Sequence, residues 1–413
     1  MQKRFTPDAG GVFPEWEEKT LGECMTLIAS KGYKGKDLVN DESKAIMFSP
    51  SDIDTSGVVS LVKNAHISDE LFKKSKEALV KNGDILFTKT ASIGKVGYVK
   101  NLYHNATINP QIVILRANEN VDSYFLFCAV RTESFKKQVR KISGGTTIKT
   151  MSQEALKELK IKIPKSIEEQ RKIAAALAAY DEMIALKTVK LETWQECKKT
   201  MVKEIFGRTK RFKDDDGREF PEWEEKTLGD VCVRVTKRNK GCKSNLPLTI
   251  SAKDGIVDQK TYFNKIVASK NLENYYIIEK GEFAYNKSYS AGFKYGSIKR
   301  LDNYEDGVLS PIYICFSISD TNIVDSDYLV QYFDSMKWND QMSVLCNEGV
   351  RNHGAINVKT EDFFAIRIPL PCMEEQQKIG SFLAEIDKEI QIQKEFVKTY
   401  AEGKKRMMRE LME

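Results

Sequence analysis

Apolar residues recur at alternating spacings of four and three along two stretches of the chain. In the first, Ile173, Leu177, Tyr180, Ile184, Lys187, Leu191, Trp194, Lys198, Met201 and Ile205 keep this rhythm. In the second, Ile379, Leu383, Ile386, Ile390, Gln393, Val397, Tyr400, Lys404, Met407 and Leu411 repeat it at an offset of 206. A mean spacing of about 3.5 residues holds one narrow stripe on one side of an α-helix, the a/d seam of a coiled coil. Even the polar interruptions coincide, Lys187 with Gln393 and Lys198 with Lys404. Ser166 and Glu169 predict a capping box ahead of the first helix, and Gly207 predicts its stop. Lys404, Lys405, Arg406 and Arg409 suit the negative end of the second helix dipole. An ordinary amphipathic helix lying on a globular core would also carry a stripe. This one is narrow, lasts about five heptads and occurs twice, so it predicts that the two helices pair. Antiparallel pairing would place Tyr180 near Lys404 and Lys198 near Tyr400. A helix of about 39 residues measures about 58 Å, or about 17 base-pair steps.

Ahead of each helix the pattern changes to short β-like runs, and these too come twice. "FPEWEEKTLG" reads from Phe13 to Gly22 and again, unchanged, from Phe220 to Gly229. Lys3-Arg4-Phe5 and Gly10 match Lys210-Arg211-Phe212 and Gly217. "NGDILFTK" (82–89) and "KGEFAYNK" (280–287) each show an acidic turn with glycine, an apolar strand and a final Lys. "INPQIVIL" (108–115) stands opposite "LSPIYICF" (309–316), a Pro opening a β-rich run each time. Helical patterns then start at Ser123 and Ser326, and "KIPKSIEEQRKI" (162–173) matches "IPLPCMEEQQKI" (368–379) before each seam. The chain is therefore a tandem duplication of a unit of about 207 residues, a common size for one or two domains. The expected fold class is α+β, with two tandem α/β domains joined and separated by a pair of long antiparallel coiled-coil helices in a pseudo-twofold arrangement.

Composition narrows the class only slightly. Of 413 residues, 41% are hydrophobic and 30% charged, ordinary for a globular protein. No apolar run reaches the about 18 residues of a membrane span, and the start has no apolar stretch typical of a signal peptide. The eight Cys form no C-x-x-C pair, which predicts reduced, cytoplasmic thiols rather than a zinc site or disulfide framework. Three His, at 66, 104 and 353, give metal or His-based catalysis little to work with. A net charge of +6 permits a polyanionic partner without requiring one.

Catalytic signatures do not emerge. "SIGKVG" lacks the spacing and the Ser/Thr of a P-loop, and no G-x-G-x-x-G occurs. "NPQI" at Asn109 and "SPIY" at Ser310 faintly resemble the Asn-Pro-Pro-aromatic motif of amino-methyltransferases. Both lack the second Pro, and they are read here as strand openers. The loops after the matched strands are more informative. "TKTASIGKVG" (88–97) and "NKSYSAGFKYG" (286–296) are matched in position but not in sequence, as are "SGGTTIK" (143–149) and "NEGVRNHGAIN" (347–357). Lys and Arg can neutralise phosphates, while Asn and Arg can read base edges. The DNA-binding candidates are Lys89, Thr90, Ser92, Lys95, Thr146 and Thr147 in the first copy, and Asn286, Lys287, Tyr289, Lys294, Arg351 and Asn352 in the second. Retained scaffold with divergent tips is expected of two copies that read two different targets. The identical "FPEWEEKTLG" suits a structural or subunit-binding role, with Trp16 and Trp223 either in the core or anchoring a contact.

The tandem halves, the "IP…EEQ" approach to each helix (Ile163-Pro164 to Gln170; Leu370-Pro371 to Gln376), the "GDILFTK" strand and the "GTTIK" loop together resemble the specificity subunit of type I restriction–modification enzymes. The sequence departs from that pattern at Lys165-Ser166, where the family tends to a second Pro. The resemblance implies a first target recognition domain in 1–164, a spacer helix in 165–207, a second recognition domain in 208–371 and a second spacer helix in 372–413. It implies a non-catalytic chain that reads a bipartite, asymmetric site in double-stranded DNA with an unspecified gap. Its implied partners are two modification subunits, which use S-adenosylmethionine to methylate adenine, and restriction subunits that use ATP and Mg. No cofactor is expected in this chain and no membrane partner. Two other classes are weighed against it: a methyltransferase or nuclease with fused recognition domains, and a structural coiled-coil adaptor without a DNA role.

Overall fold

A computed structural model describes the chain except residues 1–3, 31–37, 91, 144–149, 266, 270, 347–355 and 357. Two compact units form, Met1–Thr188 with Glu395–Glu413, and Val189–Lys394. The long helices, Ile167–Phe206 and Met373–Met412, each run from one unit into the other, so each unit holds the start of one helix and the end of the other. Among the described residues no helix is long and apolar enough to cross a membrane.

Each unit is built around one four-stranded antiparallel sheet. In the first its order is Met25–Ala29, Ile112–Ala117, Ile85–Thr88, Val96–Tyr98. In the second it is Cys232–Arg234, Ile314–Ile318, Phe283–Asn286, Ser297–Arg300. The central strands are buried over most of their length, as their apolar runs require. Asn109 and Ser310 each close a short turn that opens a sheet strand: the Asn109 carbonyl accepts from the Ile112 amide at 3.1 Å, and the Ser310 carbonyl from the Tyr313 amide at 3.1 Å. The units differ in their remaining strands. The first adds a four-stranded sheet containing one parallel pair, Ala45–Phe48 with Ala106–Ile108; the second adds two separate antiparallel pairs.

The repeated ten residues are spent on the scaffold. Glu17–Thr20 pairs with Lys160–Ile163, and Glu224–Thr227 with Arg367–Leu370, in the same antiparallel register. A glutamine amide covers the outer edge of each ribbon: Gln138 bonds the Lys160 carbonyl and amide at 2.9 and 3.0 Å, and Gln341 those of Arg367 at 2.8 and 2.7 Å. Both tryptophans belong to their own unit. The Trp16 indole N–H donates to Glu169 at 3.2 Å and that of Trp223 to Glu375 at 2.9 Å. Glu169 and Glu375 have no exposed surface, and each also receives a two-pronged guanidinium, Arg4 at 3.0 and 2.9 Å and Arg211 at 3.2 and 2.8 Å.

The adjacent Gln170 and Gln376 accept from the Asp122 and Asp325 amides, both at 2.9 Å, and donate to the Pro164 and Pro371 carbonyls. Those two aspartates cap the helices beginning at Ser123 and Ser326. The "EEQ" motif thus clamps three parts onto the first turn of each long helix: the domain, the ribbon, and the strap that runs from Arg4 to Trp16 in the first unit and from Arg211 to Trp223 in the second. Only half of the expected capping box forms. The Ser166 hydroxyl accepts from the Glu169 amide at 3.5 Å, but the carboxylate is turned to Arg4 and Trp16. The left-handed residue that ends the first helix is Arg208 (φ 57°) rather than Gly207, whose amide still bonds the Lys203 carbonyl at 3.0 Å.

None of the seam positions is exposed. Within the first unit the helices meet antiparallel: Tyr180 and Tyr400 lie edge to face at 6.3 Å, the Lys187 ammonium sits 4.3 Å from the Phe396 ring, and Lys404 pairs with Asp181. A Cβ on Gly403 would come 2.8 Å from the Tyr180 ring, which accounts for a glycine inside a helix. The expected neighbourhood of Tyr180 is therefore observed, but that of Lys198 needs correction. Lys198 pairs with Asp387 at 2.6 Å within the second unit, while Tyr400 takes Tyr180. An antiparallel register that sets Tyr180 against Lys404 sets Lys198 against the residues around Ile386.

Two outcomes follow from this packing. Replacing Glu375 with Ala removes the acceptor shared by Arg211 and Trp223, while Arg211 keeps Glu222 and two backbone carbonyls; urea unfolding should show a loss at or below the about 3–5 kcal/mol of a broken buried ion pair. Leu411 and Met412 close the first unit's core, a place taken in the second unit by Ile205 and Phe206. A half-chain ending near residue 212 carries Ile205 and Phe206 but not Leu411. Buried aliphatics contribute roughly 1.5–3 kcal/mol each, so two half-chains should form an isologous dimer with each Tyr180 near the partner's Lys198. Sedimentation would read this, and a well-folded monomer would contradict it.

Candidate nucleic-acid interface

Residues at the ends of the matched loops meet in each unit. The Lys89 carbonyl accepts from the Met151 amide at 2.8 Å, and the Lys287 carbonyl from the Ile356 amide at 2.9 Å. Thr90 and Thr150 form a further bridge in the first unit. The loop leaving the strand and the segment closing the next matched loop therefore meet at the same strand end, although more than 60 residues separate them in sequence. Thr146, Thr147, Arg351 and Asn352 lie outside the described residues.

In the first unit the loop is drawn tight by its own backbone. Thr88 donates its hydroxyl to the Ser92 carbonyl and accepts from the Lys95 amide at 3.0 Å, and Gly94 takes φ 85°. Ser92 is exposed, and the Thr90 hydroxyl is buried without a partner among the described residues. The Lys95 ammonium turns back onto the Pro50 carbonyl at 2.8 Å, tying the loop to the turn at Pro50–Asp52. Among the described residues the half-buried Lys89 ammonium has no partner, which leaves its charge for an external anion.

In the second unit Asn286 serves the turn: its side chain accepts from the Ser288 amide at 3.0 Å and donates to the Ile250 carbonyl at 3.4 Å. Tyr285 stacks on Phe363 at 4.6 Å and donates its hydroxyl to the Tyr295 carbonyl at 2.7 Å; burial raises its pKa well above the ordinary tyrosine value. A Cβ on Gly296 would fall 2.1 Å from the Asn286 carbonyl oxygen, so the loop closes only with glycine there. Tyr289 is 54% exposed, and the exposed Lys294 lies 5.1 Å from the Tyr295 ring. Lys287 matches Lys89, half-buried and without a side-chain partner among the described residues.

Sequence reasoning missed one contributor. The Ile250–Asn286 bond brings the hairpin of Leu248–Ser251 and Gly255–Asp258 beside this loop, with Lys253 exposed at its tip. The Asp254-Gly255 pair was a readable hairpin signal, though nothing local linked it to Lys287.

One retained scaffold carrying two different sets of tips defines a tandem-repeat protein whose variable surface is present twice. The chain belongs to the family of type I restriction modification DNA specificity domains, which matches residues 14–193 and 221–398. It is 25% identical over 422 residues to the type I restriction enzyme MjaVIII specificity subunit of Methanocaldococcus jannaschii, covering 96% of this chain and 92% of that one. The MjaIX specificity subunit of the same organism is 30% identical over 174 residues, a match spanning 40% of this chain and 39% of that relative's length. The crystal structure of the type I restriction–modification system S subunit from M. genitalium shares the fold with a TM-score of 0.65 and 15% identity, over 99% of both chains.

Lys89→Ala and Lys287→Ala test the interface. Loss of one phosphate contact should weaken DNA binding across sequences and lower the slope of log K against log salt by about one. Normal binding and an unchanged slope in both variants would place the interface elsewhere.

Proposed function

We propose that the chain is the DNA sequence-recognition subunit of a type I restriction–modification complex. Each unit reads one half of a bipartite, asymmetric site in double-stranded DNA, and the long helices set the unspecified gap. The observation that carries this reading is the division of labour within the repeat. The ten identical residues are used up in the ribbon, the strap and the helix clamp, whereas the loops at the matched strand ends share position and not sequence. A protein that met the same ligand twice would have no use for two different tips.

The chain is non-catalytic in this reading. Two modification subunits bring S-adenosylmethionine and methylate adenine in both half-sites, and restriction subunits bring ATP- and Mg-dependent translocation and cleavage. The assembly works in the cytoplasm, where its DNA is. A methyltransferase or nuclease with fused recognition domains would need a cofactor loop or metal-binding pattern that the sequence does not offer.

Exchange of the segment from about Cys24 to Lys160 for that of a relative tests the proposal. This segment contains the first unit's sheets and loops but leaves the strap and long helix in place. Sequencing of methylated adenines should then show one half-site changed and the other kept; a swap that alters both would overturn the modular reading.

A further inference from the structure

One carboxylate in each unit joins three elements, the two long helices and a domain helix. Asp181 of the first long helix receives the Lys404 ammonium from the second helix and the Tyr124 hydroxyl from the domain helix Ser123–Ala129. Asp387 of the second long helix receives Lys198 at 2.6 and 2.7 Å, and the Gln331 amide at 2.9 Å from the domain helix Ser326–Asp334. The two aspartates lie 206 positions apart, and so do the two lysines. The third group differs. Tyr124 is the second residue of its helix and Gln331 the sixth of the matching one, about one turn further along. The same junction is thus reached by two side chains of different chemistry from different helical positions. Shared descent explains the aspartates and lysines, but not two separate ways of tying a domain to the same carboxylate.

An apolar seam alone does not fix its register. Sliding one helix by a heptad restores apolar contacts after about 10.5 Å, or about three base-pair steps. Lys404 is 8% exposed and the Lys198 side chain 17%, so a slid register would bury each ammonium away from its carboxylate, which is costly. We propose that Asp181 and Asp387 are the positioning residues for the gap between the half-sites, each fixing helix register and domain seat through one carboxylate. The proposal rests on the recognition function given above.

The test uses the full chain assembled with its modification subunit, with methylated adenines sequenced in the host. Wild type should show two half-sites at one gap length; a pattern without a gapped pair would overturn the recognition reading and not this one. Asp181→Asn with Asp387→Asn should keep both half-sites but spread methylation over two or more gap lengths, displaced by up to about three base pairs. Lys198→Met with Lys404→Met removes the register bond alone. It leaves aspartates whose side chains are 42% and 34% exposed and therefore open to water, so this pair decides the matter if the aspartate pair does not fold. It should show the same spread. Methylation confined to the wild-type gap in the lysine pair would overturn the proposal. So would loss of methylation at every gap, which would mark the junctions as needed for assembly rather than for spacing.

Discussion

Each unit is organised around a glutamate that water does not reach. An unpaired carboxylate costs several kcal/mol in such a place, so Glu169 and Glu375 are stable only while a guanidinium and an indole N–H surround them. Those donors come from a segment more than 150 residues away in sequence. The ion pair therefore draws the strap against the helix start, and the strand after the tryptophan falls into register with the strand before the helix. Three motifs that occur in both copies meet in this one contact: Lys-Arg-Phe and "FPEWEEKTLG" bring the guanidinium and the indole, and "EEQ" brings the carboxylate. None has freedom to change alone, because a lost partner leaves a buried charge.

The loops after the matched strands stand at the other extreme. Among the described residues, their backbones are closed by local turns and glycines, and Ser92, Tyr289 and Lys294 are exposed. A surface of this kind can change without disturbing the sheet behind it. The separation is physical: the scaffold is held by buried charge and apolar strands, and the tips by turns of their own backbone and by single hydrogen bonds to distant segments, such as Lys95 to Pro50 and Asn286 to Ile250.

The helices and their pairing were legible because a 3.5-residue period over ten seam positions has one physical meaning. The neighbours of Tyr180 followed from that period as well. The place of Lys198 follows from the same register, which sets it against Ile386 and next to Asp387 rather than against Tyr400. Residue type points to Gly207 as the helix stop, yet the left-handed turn falls on Arg208, whose guanidinium lies over the Trp223 ring at 5.5 Å. In the loops, the positions of Lys89 and Lys287 were readable from the strands before them. The inward turns of Lys95 and Asn286 were not, since Pro50 and Ile250 lie 45 and 36 residues away. Among the additional strands, Ala106–Ile108 and Asp306–Leu309 stand at matched positions before Asn109 and Ser310, but they pair differently in the two units, so the repeat does not reveal the sheets they join.

The glutamine amides at the ribbon edges have a consequence for solubility. A two-stranded ribbon leaves unpaired amides and carbonyls along its outside, and such an edge invites strands from other molecules. Gln138 and Gln341 each place a donor and an acceptor where a third strand would put them, so the ribbon ends against a side chain rather than against solvent. A single residue on a neighbouring helix thus does the work of a strand, and a chain that carries this short ribbon twice offers two fewer templates for aggregation.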